Sequence, residues 1–416
     1  MEDSLQTRRD KAARAWNLGN EVVLIAAGEP IGIPGGADQC FPYHPHPDYR
    51  WLTNRSREGG VLAFDPSDGW TLFEPPVSEQ ERVWGGGPPA VGRPIEELAD
   101  WLHARSGREI ARLGVGLGDD DLSRALQSQL LHVRRAKDEA ELVLIKRAIH
   151  ATAAGHAVAR EMIRPGVSER QIQIAMEAAM MEAGADCTGY ASIVGTGSNS
   201  AIFHFTPSGR TVSDGDFVLI DAGAEVDGYV ADVTRTYPGN IHFSPEMQEI
   251  YDAVKAALNR AVDQCRVGSE WLFVHETAAR SLAESLRDLH FIHCDPDEAL
   301  ESELIAMFLP HGIGHMVGLG VRDASGGLPG RDRPNKVAGI KIRMDLPLEA
   351  NYLVTVEPGL YFSEAILSSE DRRQQFSSQV NWAKVDQWIG RGGVRLEDNI
   401  LVTPTGPLNL TAEIPM

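Results

Sequence analysis

Asp214-Gly-Asp-Phe217-Val-Leu-Ile-Asp221-Ala-Gly-Ala-Glu225-Val-Asp-Gly228-Tyr229-Val-Ala-Asp232-Val-Thr-Arg-Thr236 is the stretch whose reading decides the fold. Phe217 to Ile220 is a short apolar run, and a second β-prone run spans Tyr229 to Tyr237. Glu225-Val226-Asp227-Gly228 between them is a tight-turn signal, so the stretch predicts a β-hairpin. A turn centred between Val226 and Asp227 pairs Asp221 directly with Asp232. A turn centred on Asp227-Gly228 puts Asp232 one diagonal step away. In both registers the carboxylates share one face of the ribbon, because side chains alternate along a strand. Two like charges that close repel, and one pKa rises unless a cation lies between them.

Three downstream segments offer partners. His311-Gly-Ile-Gly-His315 follows an apolar run, and Glu357 ends the β-like run Tyr352 to Val356 and precedes Pro358-Gly359. Glu397 lies in a third strand-like segment, Gly393 to Val402. Four carboxylates and one imidazole at strand ends form an oxygen-rich donor set. Such a set suits two divalent ions, with manganese, cobalt and zinc as candidates. A pair of such ions can activate a water as nucleophile.

In order, Asp221-Ala222-Gly223, Asp232-Val233-Thr234-Arg235-Thr236, His311 to His315, Glu357-Pro358-Gly359 and Val394-Arg395-Leu396-Glu397-Asp398 resemble the motifs of the pita-bread metallopeptidases. That group includes methionine aminopeptidase, aminopeptidase P, prolidase and creatinase. The proline-specific members are the nearest in pattern, and the likeness extends over essentially the whole chain. The resemblance implies an α+β protein: an N-terminal mixed α/β, creatinase-like domain over residues 1–132 and a pita-bread catalytic domain over 133–416. It implies five metal ligands, Asp221, Asp232, His315, Glu357 and Glu397, with Asp232 and Glu397 bridging two ions.

Composition narrows the alternatives. The chain has 416 residues and a net charge of −20, which disfavours a nucleic-acid partner. Hydrophobic residues are 43% and charged ones 24%, an ordinary globular balance. No run of about 20 apolar residues suggests a membrane span. The first residues lack the apolar core of a signal peptide. Cys40, Cys187, Cys265 and Cys294 show no paired spacing, which fits reduced thiols and a cytoplasmic location.

Along the chain, Ser4 to Gly19 predicts a helix and Asn20 to Ala27 a strand. Tyr49 to Thr53, Gly60 to Phe64 and Trp70 to Phe73 predict short strands, and Pro94 to Ser106 a helix. Lys137 to Ile163 predicts one long helix, and Ser168 with Gln171 a capping box for the next. Tyr190 to Gly197 and Phe203 to Phe205 are strand-like, whereas Ser244 to Cys265 and Val274 to Leu289 predict helices.

The remaining site residues follow from the resemblance. His204 stands where the family places a substrate-facing histidine, and His311 is expected at the substrate pocket. Together with Glu357 as proton carrier they form the expected catalytic set. Arg395 is grouped with the substrate side, and its expected work is to orient a metal carboxylate. Arg343 aligns with an arginine that prolidases use near the substrate carboxylate, a buried guanidinium pairing with a carboxylate being selective for dipeptides. Trp84 is placed to reach the active site of a neighbouring subunit, which implies a homodimer. Arg322 is a departure, because proline-specific members mostly carry histidine there. A guanidinium can bind an anion but cannot exchange a proton near neutral pH.

The expected function is hydrolysis of the Xaa-Pro bond in small proline-containing peptides by a two-metal exopeptidase, with manganese favoured. Arg343 and the long insertion between Glu357 and Glu397 favour an Xaa-Pro dipeptidase. The alternative is aminopeptidase P action on longer peptides. A metal-free creatinase-type C–N hydrolase and a non-catalytic binding protein are weaker readings, since relatives of those kinds lack ligands that are all present here.

Overall fold

The computed structural model describes residues 2–84, 89–331 and 336–416. The chain divides into two compact units, Met1–Arg134 and Arg135–Met416; the sequence places the boundary after residue 132.

The first unit is built on a five-stranded sheet in the order Arg93–Pro94, Gly69–Glu74, Val61–Asp65, Val22–Ala26, Ile110–Gly114. Val22–Ala26 pairs antiparallel with Val61–Asp65 and parallel with Ile110–Gly114, so the sheet is mixed. Pro47–Thr53 is a helix and not the strand its β-prone residues predict. Pro47 at the first helical turn, the His46 side chain capping the Asp48 N–H and the left-handed Asn54 at the end override the propensity of Tyr49, Trp51 and Thr53. Residues 85–88, next to Trp84, lie outside the described residues.

The second unit carries the acidic hairpin. Val226 pairs with Tyr229, and Asp227 and Gly228 have φ of 54° and 83°, as a two-residue turn of mirror-image type demands. The turn is therefore centred on Asp227-Gly228. Asp221 faces Thr234, and Asp232 sits one diagonal step from Asp221. The second run is not one strand but two, Tyr229–Val230 and Thr234–Pro238. Between them the Asn399 side chain takes over the ladder: its Oδ1 accepts from the Asp232 N–H at 3.1 Å and its Nδ2 donates to the Asp232 carbonyl at 2.5 Å. Gly223 lies under this break, where an added Cβ would come within 1.7 Å of the Ala231 carbonyl oxygen.

Phe217–Asp221 forms the centre of a three-stranded sheet between Thr234–Pro238 and Ile193–Thr196. Against it pack the helices Glu139–Met162 and Glu169–Glu182, sharing a core of Ala151, Ile172, Met176, Val194, Val218 and Ile220. Both helices start with capping boxes, Asp138 with Glu141 and Ser168 with Gln171. Gly155 lets them approach, since a Cβ there would stand 2.6 Å from Met180.

A second helix pair, Pro245–Asp263 and Trp271–Asp288, shares a larger core with strands Leu353–Val356, Gly359–Phe362, Gly392–Arg395 and Asp398–Thr403. These strands break twice, at Glu357-Pro358 and at Leu396-Glu397. Val356 faces Asp398 and Gly359 faces Arg395, so one register runs through both breaks and sets Glu357 opposite Glu397. An isolated bridge, Thr234 to Glu397, stitches this half to the acidic hairpin. Phe203 to Phe205 is a turn and unpaired chain, not a strand. Phe203 packs edge-on against Tyr361 and His311 instead of alongside a neighbouring strand.

Candidate active site

The breaks in the strands converge on one cleft of about 820 Å³ in the second unit. Asp221, Asp232, His315, Glu357 and Glu397 all line it, as do His204, His311, Arg322, Arg343 and Arg395. Trp84 belongs to the first unit, at the end of the helix Glu79–Trp84, and is 77% exposed.

Asp232, His315 and Glu397 form the tightest group: one donor atom from each lies within 4.8 Å of the others, and all three residues are buried. The backbone around His315 runs beside the Leu353–Val356 strand. The Thr355 N–H bonds the His315 carbonyl, and the Glu357 N–H bonds that of Ile313. This pairing brings the His315 ring beside Glu357. Its Nδ1 lies 2.9 Å from the Met316 carbonyl, so Nδ1 carries the proton and the Nε2 lone pair points outward. That nitrogen faces Asp232 Oδ2 at 3.4 Å and Glu357 Oε1 at 3.9 Å. A lone pair aimed at carboxylate oxygens is repelled unless a proton or a cation lies between.

The carboxylates report the same frustration. Burial pushes Glu357 up to about 7, against which His315 and Arg395 pull and to which Asp232 and Asp221 add. Burial and the neighbouring Asp232, Glu357 and Asp221 push Glu397 well above the carboxylate range. Asp221 is also raised by burial, with Arg395 opposing and Asp232 adding. At His315 burial acts to lower the pKa, but the bond to Asp232 and the charges of Asp232 and Glu357 raise it. Four carboxylates crowd round Arg395 in a desolvated site, and the raised pKa values of three of them mark negative charge that protons or cations must balance. Divalent cations fit this donor set by charge and by chemistry.

Asp221 is held from both sides. Tyr190 Oη donates to its Oδ1 at 2.7 Å and Arg395 to its Oδ2 at 2.6 Å. Arg395 is buried, and it also donates to Tyr361 Oη at 2.9 Å and to Thr234 Oγ1 at 3.2 Å. Thr234 in turn donates to Glu397 Oε2 at 2.8 Å. Arg395 thus touches the Asp221 carboxylate directly and that of Glu397 through one hydroxyl, and so ties the two in place. A directed chain continues from it: Tyr361 Oη donates to His311 Nε2 at 2.7 Å, and His311 Nδ1 donates to the Gly312 carbonyl at 3.0 Å. Burial, with Arg395 nearby, pushes the His311 pKa down to about 3, so the ring is neutral.

His204 stands exposed on the cleft wall. Arg322 and Arg343 are both exposed in the same cleft, and Arg343 feels both partial burial and the Arg322 charge, which lower its pKa. Arg343 is therefore not the buried guanidinium that the sequence comparison with prolidases anticipates. Sequence reasoning missed Tyr190, Thr234, Tyr361 and Asn399. Thr234 was accessible from alternation, two residues beyond Asp232. The other three act across long sequence separations that no local pattern records.

Residues 143–404 match metallopeptidase family M24. A probable Xaa-Pro aminopeptidase of Paracoccidioides brasiliensis is 28% identical over 96% of this chain and 92% of its own length. One of Fusarium vanettenii is 30% identical over 91% of this chain and 86% of its own. Among solved structures, proline aminopeptidase P II from Yersinia pestis superposes with a TM-score of 0.82 at 26% identity, covering 100% of this chain and 97% of its own. Aminopeptidase P from Escherichia coli with the inhibitor Pro-Leu gives 0.80 at 26% identity, covering 100% and 96%. Among the described residues no helix is long and apolar enough to cross a membrane. With an N-terminal mixed unit, a second unit of aminopeptidase P type and a buried acidic cluster fit for divalent cations, the chain belongs to metallopeptidase family M24, as a pita-bread enzyme of its Xaa-Pro peptidase branch.

Proposed function

We propose that this metallopeptidase is an Xaa-Pro aminopeptidase, which removes the first residue from peptides of three or more residues when the second is proline. The observation that carries this choice over a dipeptidase is the exposure of Arg343 beside Arg322 on an open cleft wall. A dipeptide-selective site needs a cation closing the cleft behind the proline carboxylate. Two solvated guanidiniums instead leave room for a chain that continues. The relatives named Xaa-Pro aminopeptidases, matched over nearly their whole length, support the same reading.

Asp232, His315 and Glu397 would hold two ions, with Asp221 and Glu357 completing the set. Its oxygen-rich chemistry favours manganese. When bound, the ions supply an activated water and polarise the scissile carbonyl. Glu357 carries the proton to the leaving proline nitrogen, since it lines the cleft beside His315 and Asp232. His204 donates a hydrogen bond to the carbonyl oxygen as it gains charge. Arg395 keeps Asp221 in place, and the Arg395–Tyr361–His311 chain fixes the neutral His311 ring against the pocket. Ile193, Ile202, Phe203 and Phe205 supply apolar wall for the pyrrolidine ring.

The test is kcat/KM for Ala-Pro-Ala against Ala-Pro with the manganese-loaded protein. A ratio of about tenfold or more in favour of the tripeptide is expected. A preference for the dipeptide restores the dipeptidase reading. We also propose a cytoplasmic homodimer. Four free thiols support the compartment, and the exposed Val83 and Trp84, each 77% exposed, support an apolar contact surface. Sedimentation of an active monomer at micromolar concentration would refute the dimer.

A further inference from the structure

His204 is an exposed ring whose imidazole has no hydrogen-bond partner among the described residues. Its position must therefore come from its backbone. Yet from Phe203 to Pro207 the backbone makes no hydrogen bond among the described residues either. Ser200 ties the preceding turn to the Gly393 N–H at 2.8 Å, and the Ile202 N–H returns to the Asn199 carbonyl. Beyond that, Phe203 and Phe205 pack against the cluster of Ile193, Ala201, Leu219 and Tyr361, Pro207 is buried, and hydrogen bonds hold the two ends.

One side chain holds both ends. Glu169, the first residue of the helix Glu169–Glu182, is fully buried. Its Oε1 accepts from the Thr196 N–H at 2.9 Å and from Asn199 Nδ2 at 2.8 Å. Its Oε2 accepts from the Ser208 N–H at 3.1 Å and from Ser208 Oγ at 2.6 Å. Thr196 and Asn199 stand before the His204 segment and Ser208 after it. Four neutral donors and the positive end of a helix stabilise this buried charge. Backbone bonds from Glu169 N–H to Arg210 and from Arg170 N–H to Ser208 seat the helix end against the returning chain. A carboxylate is buried at cost, and a core function would be met equally by an apolar side chain. What an apolar side chain cannot do is clasp donors on both flanks of one segment.

We propose that Glu169 is a positioning residue: by clasping both ends of the segment 200–207 it sets where His204 and Phe203 stand in the cleft. It touches neither substrate nor ions. The catalytic part of this inference rests on the role given to His204 above; the clasp itself does not.

The test is a double-mutant cycle. In Glu169→Gln the amide nitrogen must face donors on one flank, so that half of the clasp is lost. For Ala-Pro-Ala, kcat should fall about tenfold or more with KM changed less than about threefold, at unaltered metal content. In a His204→Ala background the same substitution should lower kcat less than about twofold, since the group it positions is gone. Equal losses in both backgrounds, or no loss at all, overturn the proposal. Ser208→Ala, which deletes one donor, serves in the same cycle if Glu169→Gln does not fold. Chymotrypsin digestion gives a reading independent of substrate: cutting after Phe203 or Phe205 should quicken about tenfold in Glu169→Gln. An unchanged cutting rate overturns the clasp. A wild-type protein inactive on Ala-Pro-Ala would overturn the aminopeptidase reading instead, leaving digestion to decide the clasp.

Discussion

Stripping divalent ions with a chelator should make this protein less stable as pH rises from 5 to 8, and Glu357 sets the minimum size of the effect. Its folded pKa is about 7 against an ordinary value of 4.5, with burial the main cause. A carboxyl raised in this way binds its proton more tightly when folded than when unfolded. Below its ordinary value the stabilisation from that tighter proton is fully present; between the two values the unfolded chain ionises first, and stability falls with rising pH. The gap corresponds to about 3 kcal/mol, lost by roughly pH 7. Asp221 and Glu397 are raised as well and act in the same direction. So does His315, whose raised pKa gives stability present at low pH and lost as pH climbs through the folded value. Urea denaturation followed by circular dichroism, in chelator and in excess manganese at pH 5, 6, 7 and 8, measures the slope. With ions bound the fall should largely vanish, because cations replace protons at the same oxygens. Glu357→Gln in chelator should remove about 2.5 kcal/mol of it between pH 5 and 8, the rest of the loss lying below pH 5. The protein carries a net charge of −20, so general repulsion also grows with pH, and the mutant separates that background from the site. A chelated protein that gains stability from pH 5 to 8, or a slope untouched by Glu357→Gln, would refute the electrostatic account of the cleft.

Two further outcomes follow from the geometry. Asp232→Asn removes charge from the tightest donor group and should cost more than about a hundredfold in kcat together with bound metal; retention of two equivalents of manganese at wild-type turnover would overturn the ligand assignment. Arg322→His should keep both metals and shift the kcat/KM ratio of Ala-Pro to Ala-Pro-Ala by about tenfold, or roughly 1.4 kcal/mol; an unchanged ratio would mean that Arg322 does not meet the substrate.

By itself the sequence determined the hairpin, the shared face of Asp221 and Asp232, the long helices and the capping box of Ser168 with Gln171. Those features are local: alternation, caps and turns are written within a few residues. It left the hairpin register open between two choices, and only the left-handed pair Asp227-Gly228 in the folded chain settled it. It also read Tyr49 to Thr53 as a strand, where capping at both ends of the helix Pro47–Thr53 outweighed β-propensity. Tertiary structure alone decided what surrounds the ligands. The Asp221 carboxylate meets Tyr190 and Arg395 from segments 31 and 174 residues away. Glu357 faces Glu397 only because one register survives two strand breaks. Glu169 reads in sequence as an ordinary acid in the first turn of a helix, and folding buries it where Thr196, Asn199 and Ser208 converge. Arg343 looks the same in sequence whether buried or solvated, and only the folded chain shows it exposed in the cleft. Periodicity fixes which face a side chain takes; burial and long-range hydrogen bonds depend on which faces meet, and those exist only once the chain has closed on itself.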